Sequence, residues 1–276
     1  MSDSALPMPR GACDCHMHVY DEGRFPLAST ATFKPPHAPL SAYREVQQAL
    51  GLQRVVVVQA TGYGFDNRCV LDALAQLGAS SRGVAIVPPD VPDTELARLH
   101  QAGVRGLRYM MIPGAGGPLD WGSIETTAAR LLPLGWHINL QLDGRELPQR
   151  QALIERLPCP VVIDHTGKFL VPVTVDDPAF QALLSVLQRP DRYVKIAAPY
   201  ETSKIGAPGY DDVAVLAKTL LRAHPDRCLW ASNWPHPNAK PLPDSADMLA
   251  LLGQWAPDEA TRNRVLADNP ARLYGF

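Results

Sequence analysis

No apolar stretch of this chain approaches the roughly 20 residues that a membrane helix needs; the longest, such as Val55 to Val58, fall far short. An excess of basic charge is also missing. With 26 Lys and Arg against 28 Asp and Glu, and a formal charge of −2, the sequence lacks the electrostatic footprint of a nucleic-acid binder. Neither a membrane nor a nucleic acid is therefore an expected partner. Cysteine is scarce and odd in number, five in 276 residues, and no hydrophobic segment follows the opening Met-Ser-Asp-Ser. Free thiols in a reducing cytoplasm are expected rather than a disulfide framework. A Gly-x-Gly-x-x-Gly turn after the first apolar strand is absent as well; Gly114 to Gly117 follows the fourth strand and opens no clear helix, which disfavours a dinucleotide-binding open sheet. Proline is abundant, at 27 residues, but the prolines fall between periodic segments and form no tract.

What is present is a strict alternation of apolar, strand-like runs with amphipathic, helix-like ones, the pattern of βα units around a parallel sheet. Strands are expected near Gly11–His18, Arg54–Ala60, Gly83–Pro88, Gly106–Met111, Ile138–Asp143, Val161–His165, Tyr193–Ala198 and Cys228–Asn233. Helices are expected between them, as at Leu40–Leu52, Ser123–Leu134 and Asp211–His224. Eight such units fit one closed (β/α)8 barrel spanning residues 1–276, an α/β fold in a single domain, with 1–10 expected to be a flexible N-terminal extension. A barrel of this kind gathers the carboxyl ends of its strands around one pocket.

Those ends are polar. Strand one carries Asp14, His16 and His18 at a spacing of two, which on a regular strand puts all three on one face and turns Cys13 and Cys15 outward under a helix. Strand six offers His165, and strand eight ends in Asn233 with His236 beyond. His16, His18, His165 and Asn233 are thus the candidate catalytic residues. Three imidazoles could hold Zn²⁺, but a barrel that activates metal-bound water also needs a base, and the neutral Asn233 cannot serve. No lysine stands at the end of strand four to bridge two metals. No cofactor is expected to be required; adventitious or weak zinc, if bound, would use His16, His18 and His165.

On strand four, Arg105 and Arg108 face opposite sides, and Arg108, nearer the carboxyl end, is the one expected in the pocket. Arg108 and Lys168 suit a carboxylate-bearing small molecule. Asn67, Asp143, Tyr200 and His236 are further candidate substrate contacts from the loops after strands two, five, seven and eight.

The Cys-His-Met-His start, the Asp-His-Thr-Gly-Lys segment at Asp164 to Lys168 and the Asn-Trp-Pro-His finish at Asn233 to His236 resemble the metal-independent lactone branch of the amidohydrolase superfamily. The resemblance runs from about Gly11 to Phe276. It implies a distorted barrel, no required metal, and a lactone of a dicarboxylic or sugar acid as substrate. Hydrolysis of a carboxylated lactone, with a histidine activating water, is the leading expectation; lactone isomerisation, in which a substrate hydroxyl replaces water, is the alternative, and a metal-dependent decarboxylase or a silent ligand-binding barrel are the others. The oligomeric state, monomer or homo-oligomer, is left open.

Overall fold

The computed structural model describes residues 6–237 and 239–276. Eight parallel strands lie in sequence order in one sheet: β1 (Cys13–Met17), β2 (Arg54–Val58), β3 (Ser81–Ala85), β4 (Val104–Met110), β5 (His137–Gln141), β6 (Val161–Ile163), β7 (Arg192–Ile196) and β8 (Cys228–Trp230). Helices α1 (Leu40–Ala49), α2 (Arg68–Leu77), α3 (Asp93–Gln101), α4 (Ile124–Leu131), α5 (Leu147–Arg156), α6 (Pro178–Val186) and α7 (Asp211–Ala223) fill the seven connections, and α8 (Ser245–Trp255) follows β8. A continuous apolar layer between sheet and helices holds the ring together: Val55, Val57, Leu107, Ile138, Leu140, Ile163, Val194 and Trp230 face helix residues such as Leu74, Leu99, Leu131, Ile154, Leu183 and Leu220.

The barrel closes unevenly. Among the described residues no ladder joins β8 to β1; the seam is made by Asn233 N, which donates to His16 O at 2.9 Å, and His18 N, which donates to Trp234 O at 2.8 Å. The Asp14 carboxylate bolts this seam, accepting from Ser232 N at 3.0 Å, Ser232 Oγ at 2.5 Å and Tyr43 Oη of α1 at 3.1 Å. The fold is the distorted (β/α)8 barrel expected from the alternation. Of the expected N-terminal extension, residues 1–5 lie outside the described residues, while Leu6 and Met8 pack against the core. Among the described residues no helix is long and apolar enough to cross a membrane.

One local expectation is overturned. β1 pairs Asp14 with Val55 but Met17 with Val57, so three residues of β1 span two of β2: a bulge that flips the parity of the strand. Cys13 and Cys15 therefore point into the barrel, packed with Val56, Val84, Val162, Tyr193, Leu229 and Tyr274. Asp14 points out to the seam, and only His16 and His18, beyond the bulge, face the pocket end. The sequence signal for alternation was sound; the extra residue that breaks it has no marker in Cys-Asp-Cys-His-Met-His.

Candidate active site

His16 meets both its neighbour and the far wall of the barrel. Its Nε2 lies 3.2 Å from His18 Nε2, and its Nδ1 lies 2.9 Å from Lys195 Nζ of β7. Lys195 also contacts Asn139 Oδ1 of β5 and pairs with Asp164 Oδ1 at 3.1 Å, while Asn139 Nδ2 donates to Asp164 Oδ2 at 2.8 Å. His18 closes the line through Nδ1, 2.8 Å from Val58 O. All four polar side chains beneath His18 are at zero exposure. Burial, and then the charge of Lys195, holds the His16 imidazole well below its ordinary pKa. Burial and Arg108 bring His18 to about 3, and burial brings His165 to about 4. All three rings are neutral near pH 7. Asp164 goes the other way: burial alone would raise it, but the Lys195 ammonium holds it well below the carboxylate range.

Above this layer a cavity of about 310 Å³ opens at the carboxyl ends of the strands, lined by His18, Arg108, His165, Lys168, Glu201 and Asn233 among others. Arg108 is fixed by donating to Gln59 O and to Gln141 Oε1, both at 2.9 Å; its buried Nε has no partner among the described residues. His165 Nδ1 and Asn233 Oδ1 are likewise buried without partners. Asn233 donates from Nδ2 to Tyr200 Oη at 2.9 Å and to Glu201 Oε1 at 3.1 Å. Glu201 is paired with Lys168, and this neighbour, with His165 and Asn233, outweighs burial and keeps its carboxyl below the ordinary range. An ionised carboxylate thus stands beside residue 233, delivered by the loop after β7 instead of by β8.

The site's backbone is held in conformations that side chains rarely adopt. His165 (φ 51°), Thr166 (55°), Lys168 (47°), Ala198 (49°), Asn233 (58°) and His236 (59°) all lie in the left-handed region, several of them immediately after a strand. β6 and β8 stop at Ile163 and Trp230, short of the expected His165 and Asn233, because these turns begin there.

Of the residues singled out from the sequence, His18, His165, Asn233, Arg108 and Lys168 line one cavity, with His16 directly behind His18. Tyr200 and His236 form a chain behind Asn233: Tyr200 Oη lies 3.0 Å from His236 Nδ1, and His236 Nε2 lies 2.9 Å from Ser245 Oγ. Two candidates serve the loops instead. Asn67 Oδ1 accepts from Ile86 N at 3.0 Å and its Nδ2 donates to Ile86 O at 2.7 Å, stapling the loop after β2 to the segment after β3. Asp143 pairs with Arg145 and accepts from Leu170 N at 3.3 Å. Sequence reasoning missed Lys195, Asn139, Gln59, Gln141 and Glu201, and gave Asp164 no role in the pocket. Lys195 had a usable signal, a charge between Val194 and Ile196 in a strand buried on both faces.

His16, Asp164 and His165 offer ligand atoms within 4.8 Å of one another, the outline of a metal site different from the three-histidine set expected. The residues do not fit a divalent ion as they stand. Lys195 Nζ already sits 2.9 Å from His16 Nδ1 and 3.1 Å from Asp164 Oδ1, placing an ammonium where a metal would need lone pairs.

Parallel strands in a ring, with imidazoles, an arginine and a carboxylate converging at their carboxyl ends, define a barrel enzyme. The profile of the amidohydrolase family matches residues 13–276, and the chain belongs to that family. It is 34% identical over 283 residues to a 2-pyrone-4,6-dicarboxylate hydrolase of Comamonas testosteroni, covering 99% of this chain and 93% of the relative. It is 32% identical over 271 residues to a D-galactarolactone isomerase of Agrobacterium fabrum, covering 96% and 91%. A solved apo structure from Agrobacterium tumefaciens superposes with a TM-score of 0.91 at 31% identity, covering 98% of this chain and 97% of the other.

Proposed function

We propose that this enzyme hydrolyses the ring of a small carboxylated lactone, without a metal ion. The observation that carries the reading is Glu201: an ionised carboxylate in the cavity, 3.1 Å from Asn233 Nδ2, supplying the base that position 233 lacks. Arg108, anchored by Gln59 O and Gln141 Oε1, keeps N–H groups free for the substrate carboxylate, and Lys168 adds a second cation at the rim. Water held by Glu201 and by the unpartnered Asn233 Oδ1 attacks the ring carbonyl, and Glu201 takes its proton. Protonated Glu201 then returns the proton to the ring oxygen as the acyl C–O bond breaks, while neutral His165, whose Nδ1 is unpartnered in the same cavity, is placed to hydrogen-bond the substrate.

Both relatives named above bear the names of enzymes acting on lactone-type rings, which supports the substrate class. The five buried free cysteines support a reducing cytoplasm as its setting, and the near-neutral charge supports the absence of a nucleic-acid partner. A second reading, lactone isomerisation, is favoured by Asn233 itself: an amide holds a substrate hydroxyl by hydrogen bonds without abstracting its proton.

A proton NMR time course of the chelator-treated protein, with sugar-acid, pyrone and muconate lactones, decides among these. The open-chain acid is the expected product. A different lactone without acid would establish the isomerase. Turnover only after addition of Zn²⁺ or Mn²⁺ would overturn the metal-free mechanism.

A further inference from the structure

A lysine at zero exposure in the middle of a barrel strand needs acceptors and a counter-ion, and Lys195 has two hydrogen-bond partners, Asn139 Oδ1 and His16 Nδ1, with the Asp164 carboxylate 3.1 Å away as its counter-ion. Asn139 cannot be turned the other way, because its Nδ2 donates to Asp164 Oδ2. Beside the Asp164 counter-ion this nitrogen is an ammonium, which donates to both hydrogen-bond partners and has no lone pair to offer. His16 Nδ1 must therefore accept, and the proton of this neutral ring sits on Nε2. That N–H points at His18 Nε2, 3.2 Å away. The opposite end of the line gives the same answer independently. Val58 O can only accept, so His18 Nδ1, 2.8 Å from it, carries the proton and His18 Nε2 is the acceptor for His16.

We propose that Lys195 is the built-in cation of this site: its ammonium stands between His16 and Asp164 where a metal would bind, and fixes the proton order Lys195 to His16 to His18 to Val58 O. Two consequences follow from the geometry. Neither nitrogen of His16 has a lone pair left for a metal, which makes the site refractory to zinc. The ring of His18 is held at the cavity wall by a line of hydrogen bonds that a buried charge polarises. Lys195 is a positioning residue, since it acts on the cavity only through His16.

The tautomers can be read in the wild-type protein without substrate, from ring ¹⁵N NMR shifts. Protonation at Nε2 of His16 and at Nδ1 of His18 is expected; a proton on Nδ1 of His16, or a doubly protonated ring, overturns the assignment. Zinc titration by calorimetry supplies the second readout. Chelator-treated wild type should show no stoichiometric uptake, whereas Lys195→Met, which removes the charge at similar volume, should gain a site. Zinc bound by wild type as tightly as by the variant overturns the proposal. A lysine that merely neutralised Asp164 would alter stability in Lys195→Met but create no zinc site. Where a lactone substrate is in hand, kcat of Lys195→Met should fall about 10- to 100-fold with KM nearly unchanged, the range seen when a group that orients an active-site histidine is removed. This last arm rests on the lactone reading. If wild type turns over no lactone, that reading fails while the tautomer and zinc results still judge Lys195.

Discussion

Glu201 and Asn233 touch, and the chemistry of the pocket turns on which of them can hold a proton. Glu201→Gln keeps the shape and the bond to Asn233 but removes the base, so kcat should fall by about 10²- to 10⁴-fold. Steady-state kinetics with an unchanged far-UV circular dichroism spectrum checks it, and a loss below threefold would remove Glu201 from the mechanism. Asn233→Asp tests the same pair from the other side. It sets two carboxylates about 3 Å apart, which forces the pKa of one upward, so the acid limb of the pH–rate profile should move to higher pH. An unmoved limb would mean the two groups do not share a site. The roles of these residues were legible in the sequence to different degrees. His18, His165 and Arg108 announced themselves as polar groups at strand ends. Glu201 did not, because a carboxylate in a loop is ordinary until folding brings it beside Asn233, whereas Lys195 was legible as a charge between Val194 and Ile196 but lies below the strand end where site residues were sought.

At the scale of elements, the site depends on the loops after β5 and β6 meeting closely. Gly144 N donates to Lys168 O at 3.1 Å, and a Cβ on Gly144 would stand 2.4 Å from Gly167 O and 2.6 Å from the Phe169 ring. Since one of these obstacles is backbone, relief requires the loop carrying His165 and Lys168 to shift. Gly144→Ala should cost about 1–3 kcal/mol and lower kcat as well as Tm. Thermal unfolding and kinetics on the same preparation check it; an unchanged kcat would show that the loop tolerates displacement. The order of elements was readable from alternation alone, as the match of α7 at Asp211–Ala223 to its expected Asp211–His224 illustrates. The strand ends were not. Ile163 is followed by Asp164, His165 and Thr166 and Trp230 by Ala231, Ser232 and Asn233, and nothing in these residue types marks the left-handed turns that end β6 and β8. The bulge in β1 was invisible for a similar reason, since a register is a property of two strands and not of one.

For the molecule as a whole, the interior is a store of uncharged imidazole. His18 and His137 are held at about 3 and His165 and His236 at about 4, chiefly by burial, and His16 well below its ordinary value. In the unfolded chain each would titrate near 6.5. Between 6.5 and these depressed values the unfolded state binds protons that the folded state refuses, so stability rises with pH through that window. The contribution is complete above about pH 6.5 and is lost progressively as the pH falls, at up to about 1.4 kcal/mol per pH unit for each histidine. Asp164 and Glu201, depressed by their cationic neighbours, add to the loss at still lower pH. Asp14, raised by burial in spite of its donors, opposes it, but as one group against five. Calorimetry should therefore find Tm nearly level between pH 8 and 7 and falling by about ten degrees or more for each unit from 6.5 to 5, at about 2–4 °C per kcal/mol for a domain of this size. A flat Tm from 7.5 to 5 would mean that these rings take up protons while folded, and would count equally against the neutral His16 and His18 on which the zinc-excluding order at Lys195 depends.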